Sequence, residues 1–264
     1  MIFAPASVTA FFSPKLHENP KKAGSLGVGI VLSEGVLANV SNSEGVRLNG
    51  EKVDFPTVSY VIERVGVRGV DLRTNLPLSC GFGLSGASAL ATAFLKGPSD
   101  YLEMCDLAHE SEVVNRTGLG DVVCQCYGGV VARIKPGAPS VAKVVKFFFN
   151  AELNFLVLGK INTAEFLSSY NMSTISKIGE ECLREFVKKP TLENLFEQSK
   201  KFAFETGIGE ELRDVIEAVE SSGGRASMVM LGKTVFAICK REVLEEFKGQ
   251  VFTARIRNCG VDVR

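Results

Sequence analysis

Gly81, Gly83 and Gly86 stand in a G-x-G-x-x-G spacing, with Ser85 and Ser88 beside them. Glycine lets a backbone come close to a polyphosphate. Where such a loop opens a helix, free N–H groups and the positive end of the helix dipole face the anion. The two hydroxyls add oxygen ligands suited to phosphate or a magnesium ion. The same spacing serves dinucleotide folds, protein-kinase loops and plain tight turns. A dinucleotide fold needs a strand running straight into the first glycine, and Pro77 and Ser79 interrupt that approach. A protein kinase needs H-R-D and D-F-G motifs further on, and neither occurs. A phosphate cradle and a turn of small residues for close helix packing both remain.

The segment Thr117-Gly118-Leu119-Gly120-Asp121 puts an acid after a double-glycine turn at a helix start, where it is also placed to cap that helix. Glu112 and Glu110 end the preceding helical pattern. Arg133 follows on a strand; its planar guanidinium suits a carboxylate or phosphate, and a surface strand arginine is the plainer reading. His109 has the type of a general base, and a structural helix residue is the plainer reading. The seven cysteines are dispersed, and Cys124 and Cys126 are two apart, which on a helix faces them apart and makes a poor metal clamp. Reduced thiols used as small hydrophobes are expected.

These groups need a frame. Strands are predicted over Phe3–Phe12, Leu26–Leu32, Val36–Val40 and Val46–Leu48, and Asn49-Gly50 signals a tight hairpin. Apolar spacing through Val58, Val61, Ile62 and Val65 predicts a helix capped by Thr57. A strand over Val67–Thr74 leads to the glycine loop, an Ala-rich helix over Ala87–Leu95 and another over Ser99–Val114. A short helix within Gly118–Gly129 and a strand to Ile134 follow. Beyond Pro136 come strands at Val144–Phe149 and Leu153–Leu158, and helices near Thr174–Val187, Leu192–Glu205 and Glu210–Glu220. The tail carries strands at Ala226–Leu231, Thr234–Cys239 and Val251–Ala254, with a helix over Glu242–Phe247. Irregular mixing of strands and helices points to α+β, divided near residues 140–150.

The 264 residues are 45% hydrophobic, enough for one large core or two adjoining ones. Thirty basic residues against thirty acidic ones argue against a nucleic-acid partner, which needs a basic surplus. The apolar stretch from Met1 to Phe12 is interrupted by Pro5, and the first positive charge, Lys15, follows it, so neither a secretory signal nor a membrane partner is expected.

Taken as a whole, Leu76-Pro77-Leu78-Ser79-Cys80-Gly81-Phe82-Gly83-Leu84-Ser85-Gly86-Ala87-Ser88-Ala89 resembles the phosphate loop of the GHMP small-molecule kinases, in the G-F-G-x-S-G-A wording of the archaeal pantoate kinase branch. Ala4-Pro5-Ala6-Ser7-Val8-Thr9-Ala10-Phe11-Phe12 is similar to the opening strand of that branch. Ala108-His109-Glu110-Ser111-Glu112-Val113 ahead of Thr117-Gly118-Leu119-Gly120-Asp121-Val122 resembles its acidic motif, and the stretch from Gly223 to Ala237 its third. The resemblance implies a GHMP kinase fold: a ribosomal protein S5 domain 2-like domain over 1–145 and a ferredoxin-like domain over 146–264.

It further implies an ATP-dependent kinase that phosphorylates the terminal hydroxyl of pantoate for coenzyme A synthesis, with ATP and Mg2+ as cofactors. Asp121, Glu112 and Ser85 are the implied catalytic residues, Glu112 and Ser85 holding the metal. Gly81, Gly83, Leu84, Ser85, Gly86, Ala87 and Ser88 would bind the nucleotide, and Arg133, Thr9 and Ser7 the substrate. A cytoplasmic enzyme is expected, and a homodimer only from the general habit of soluble enzymes. Three positions depart from the family wording: Ala87 replaces a second serine, Ser7 a histidine and Leu26 an arginine. Kinases of other small hydroxy compounds, mevalonate-like or homoserine-like, and a non-catalytic nucleotide or metabolite binder are the competing readings.

Overall fold

The computed structural model describes residues 1–97, 99–161 and 170–263. Two long strands, β1 (Ile2–Lys15) and β2 (Gly24–Val40), form an antiparallel hairpin on which the first sheet is built. β3 (Gly45–Leu48) and β4 (Glu51–Val53) make the hairpin expected at Asn49-Gly50, with φ of 52° and 91° at its two turn residues. β5 (Gly69–Arg73) pairs with the second half of β2, while β6 (Val130–Lys135) pairs with its first half and with β7 (Lys143–Phe147). Among the described residues this sheet has eight strands, closed at one edge by β12 (Asp262–Val263) beside β1.

The sequence pattern divides the second strand at Ser33-Glu34-Gly35; the structure runs it through. Gly35 packs so tightly on β1 that an added Cβ would lie 2.2 Å from the Ala4 carbonyl oxygen, so the glycine serves strand pairing instead of a turn.

α1 (Pro56–Val65), α2 (Leu84–Ala93), α3 (Tyr101–Asn115) and α4 (Asp121–Tyr127) accompany this sheet. α1 begins one residue before the expected cap. Pro56 occupies the first turn, where its missing N–H costs nothing, and the Thr57 hydroxyl is buried without a partner. α2 touches α1, α3, β1 and β2, and every one of its residues except Ser85 is buried. Its Ala, Gly and Ser composition answers that crowding. α3 is capped by Asp100, which accepts from the Glu103 N–H at 2.9 Å.

The second sheet has the order β11-β8-β10-β9, from β8 (Glu152–Gly159), β9 (Arg225–Met228), β10 (Lys233–Ile238) and β11 (Gln250–Arg255), all antiparallel. In chain order that is 4-1-3-2, the ferredoxin-like arrangement. α5 (Met172–Lys188), α6 (Leu192–Glu205), α7 (Arg213–Ser221) and α8 (Arg241–Glu245) complete this half. The helix expected from Glu210 opens as a 3-10 turn over Glu210–Leu212 before α7. β7 crosses residue 145 as part of the first sheet, and β12 returns to that sheet.

The two halves meet along β1. Gly179 of α5 packs on its backbone, Ser199 of α6 donates to the Ala10 carbonyl at 3.0 Å, and Met230 N–H donates to the Thr9 carbonyl at 3.0 Å. Replacing an exposed helical glycine by alanine normally stabilises a helix by up to about 1 kcal/mol. At Gly179 the new Cβ would lie 2.1 Å from the Phe12 carbonyl oxygen, so the sign reverses. Gly179→Ala is expected to lower Tm by about 3–10 °C in a thermal melt.

Candidate active site

Between the halves lies a cleft of about 1030 Å³, walled by Thr9, Ser25, Gly81 to Ser85, Gly118 to Asp121, Arg133 and Met230, among others. One face is the glycine loop. Ser79, Gly81 and Gly83 take positive φ of 62°, 88° and 59°, and Gly83 precedes the first residue of α2 without any side-chain cap. The helix therefore starts three residues earlier than its apolar pattern predicts. Ala87 N–H donates to the Gly83 carbonyl at 3.0 Å, so the free amides are those from Gly83 to Gly86. Ala87 gives its N–H to the helix, and Ala87 and Ser88 are buried behind the turn, away from the cleft wall.

The second half holds this loop from below. A Cβ at Gly81 would lie 2.5 Å from Val229 Cγ1, and one at Gly232 would lie 2.1 Å from the Cys80 carbonyl oxygen. Thr234 Oγ1 donates to that carbonyl at 2.9 Å. The segment after β9 and the first residues of β10 are thus a platform for the glycine loop.

The acids come from the opposite side. α3 ends with Arg116 in the left-handed conformation, φ 56°, and the turn brings Thr117 back so that its hydroxyl donates to Glu112 Oε1 at 2.7 Å. Glu112 is 2% exposed and its Oε2 has no hydrogen-bond partner. It stands behind Gly118 and Ser85, not on the cleft wall. Burial pushes its carboxyl up to about 7; the Thr117 and Ser85 hydroxyls oppose the shift and the Asp121 charge adds to it.

Asp121 is the first residue of α4, preceded by Gly120, and makes no capping hydrogen bond. Its carboxylate turns to the cleft instead. Ser7 Oγ donates to Asp121 Oδ1 at 3.2 Å. Burial raises this carboxyl above the usual carboxylate range, against the opposing Arg133 guanidinium and the Ser7 and Thr9 hydroxyls. Register shifts at Pro5/Ser7 and Thr9/Phe11 bracket Ser7-Val8-Thr9 in β1, and Ser7 N–H leaves the ladder for the Phe82 carbonyl at 3.1 Å. Such bulges re-aim side chains beside a site.

Arg133 is 1% exposed, far from a surface strand residue. Its Nε donates to the Ser25 carbonyl at 3.3 Å, its Nη1 to Cys124 Sγ at 2.7 Å, and its Nη2 is buried without a partner. Gly120 makes room for it, since a Cβ there would come within 2.7 Å of Arg133 Cζ. Cys124 is therefore more than a small hydrophobe: it is an anchor for the guanidinium. His109 Nε2 lies 2.9 Å from the Ala23 carbonyl, and burial lowers its pKa. It holds the β1–β2 connection.

Gly81, Gly83, Leu84, Ser85, Thr9, Asp121 and Arg133 thus share one cleft, with Ser7, Gly86 and Glu112 directly behind its wall. Leu26 lies opposite Ser13 in the β1–β2 pair, away from the cleft wall. Gln125 escaped the sequence reading: it lies four residues after Asp121 on α4, and only that helical spacing signals it. Among the described residues no helix is long and apolar enough to cross a membrane.

The family model for the GHMP kinases N terminal domain matches residues 54–129, the stretch that carries the glycine loop, Glu112 and Asp121. A pantoate kinase of Thermococcus kodakarensis is 36% identical, the match covering 93% of this chain and 89% of the relative. That of Methanocaldococcus jannaschii is also 36% identical, over 93% of this chain and 94% of its own. The chain belongs to the pantoate kinase family of GHMP kinases. A solved phosphotransferase related to the CoA biosynthesis pathway superposes on this GHMP kinase with a TM-score of 0.84 at 31% identity, covering 99% of this chain and 98% of that one. A mevalonate kinase from Methanococcus jannaschii shares the fold alone, with a TM-score of 0.69 at 15% identity over 97% of this chain and 98% of that one.

A carboxyl raised to about 7 in the fold and near 4.5 when unfolded binds more protons in the folded state between those values. Stability from this group is therefore present at low pH and lost as pH rises through 7. In chelator, the wild type is expected to lose stability relative to Glu112→Gln between pH 5 and 8, on the order of 3 kcal/mol, read from denaturant melts at each pH. Parallel pH curves for the two proteins would contradict the assignment.

Proposed function

We propose that this family member transfers the γ-phosphoryl group of ATP to the terminal hydroxyl of pantoate, giving 4-phosphopantoate. The observation that carries this reading is one cleft faced by free loop amides, a carboxylate that caps nothing and a buried guanidinium with an unpartnered nitrogen. Phosphoryl transfer asks mainly for positioning and charge neutralisation, and these groups supply both.

The amides from Gly83 to Gly86 receive the polyphosphate at the start of α2. Asp121 orients the attacking hydroxyl and accepts its proton; desolvation keeps this carboxylate basic enough for the task. Arg133 Nη2 offers hydrogen bonds to the pantoate carboxylate, with Thr9 and Ser7 on the strand beside it. Because Nε and Nη1 are already bonded, the guanidinium is fixed before substrate arrives.

The donor set also fits magnesium, which takes few protein oxygens and keeps waters and phosphates as its other ligands. Glu112 Oε2 is a buried carboxylate oxygen without a partner, and the Ser85 hydroxyl stands next to it. These two residues would hold the ion, which would supply positive charge to neutralise the phosphates.

Asp121→Asn is expected to lower kcat by about 10²–10⁴-fold while ATP affinity stays within a few-fold. Arg133→Lys is expected to raise KM for pantoate roughly 10–100-fold, as for a charge-assisted hydrogen bond that is lost. Both are read from ADP release together with direct detection of phosphopantoate. Turnover of mevalonate or homoserine in place of pantoate would overturn the substrate, and tight ligand binding without any ADP release would favour a non-catalytic binder.

A further inference from the structure

Gln125 has no exposed surface and stands one helical turn beyond Asp121 on α4. Its Nε2 donates to the Gly83 carbonyl at 2.8 Å and to Ser7 Oγ at 3.1 Å. A carbonyl oxygen only accepts and an amide nitrogen only donates, so Gly83 fixes which way the Gln125 amide faces. Ser7 Oγ accepts from Gln125 and so turns its own hydrogen to Asp121 Oδ1, 3.2 Å away. The hydrogen bonds run in one direction, from amide to hydroxyl to carboxylate.

The three groups converge on a single backbone position. A Cβ at Gly83 would lie 2.9 Å from Gln125 Nε2, 2.9 Å from Ser7 Oγ and 3.0 Å from Asp121 Cγ. Gly83 is also the residue from which α2 and its free amides start. The residue that shapes the phosphate loop is thus the residue the acid leans on.

We infer that Gln125 is a positioning residue for phosphoryl transfer: through Ser7 it locks the Asp121 carboxylate to the Gly83 backbone of the phosphate loop. The inference rests on the reading of Asp121 as proton acceptor. Ser7 occupies one carboxylate oxygen, while Oδ2 stands on the Gly118 side, 3.5 Å from where a Cβ at Gly118 would be. Without Gln125, the Ser7 hydroxyl loses its fixed donor direction, and the carboxylate loses one of the two hydroxyls that orient it. A misplacement of about 1 Å at a reacting group costs on the order of 10²-fold in rate. The amides that receive ATP and the Arg133 site are untouched, so the effect belongs in kcat.

The test is steady-state kinetics on Gln125→Met, Ser7→Ala, the double variant and Asp121→Asn, each with its thermal melt. Met keeps the length of the side chain and removes both donors. Gln125→Met and Ser7→Ala are each expected to lower kcat about 10–100-fold, with KM for ATP within about threefold of wild type. The double variant is expected to lose no more than the worse single, since both act on one chain of bonds. Losses that multiply in the double, losses confined to KM for ATP, or kcat within twofold of wild type would each overturn the inference. If Gln125→Met does not fold, Gln125→Glu replaces it: the same shape now accepts from Ser7 and draws its hydrogen off Asp121, with the same expected loss. Asp121→Asn separates the two levels. Full activity there overturns the proton-acceptor reading and this inference together, whereas loss there with intact Gln125 and Ser7 variants overturns this inference alone.

Discussion

The site depends on side chains that are missing. Around two buried acids and one buried cation, Gly83, Gly118 and Gly120 leave room that no other residue would leave. A Cβ at Gly118 would stand 2.4 Å from Glu112 Oε2, and one at Gly120 would meet both Ser25 and Arg133. The atoms met are the ends of the functional side chains themselves, so relief would come only by moving those groups out of place. Close approach lets the loop amides, the carboxylates and the guanidinium occupy one cleft, and it fixes the helix starts of α2 and α4 at its edge.

That crowding has an electrostatic consequence. Glu112 and Asp121 are both taken out of water; the Asp121 charge raises the proton affinity of Glu112, while Arg133 and the Ser7 and Thr9 hydroxyls balance Asp121. Two like charges this deep are costly without a cation. Arg133 supplies one, held by a carbonyl and a thiol. An overall charge balance of thirty against thirty therefore says nothing of the charge of the ligand. A neutral protein can still turn oriented amides and one guanidinium toward a single cleft.

Much of this was legible in the chain, because the informative features are local. The glycine spacing, the acid after the double-glycine turn and the hairpin at Asn49-Gly50 each lie within a few residues, and each appears where expected. What escaped is decided by contacts across the chain. The partner of Ser7 is 114 positions away, and Gln125 reaches Ser7 across 118. The burial of Arg133 follows from Ser25 and Gly120, not from its own strand. Helix starts were misplaced where backbone conformation outranked apolar pattern: the left-handed Gly83 begins α2 early, and Pro56 displaces Thr57 from the cap of α1. The charged break at Ser33-Glu34-Gly35 resembles a turn until the tight packing of Gly35 on β1 is seen.

β1 also bears on how the cleft can change shape. One strand carries Ser7 and Thr9 to the chemistry, and its carbonyls are gripped from the other half by Met230 and Ser199 while Gly179 presses on Phe12. A hinge between the halves would have to break these contacts, two of them hydrogen bonds in the interior. The two halves therefore move as one body at this seam. Away from this seam the cleft wall is made by short segments, His17 on the β1–β2 connection and Val53 to Pro56 at the start of α1, which none of these contacts ties to the other half.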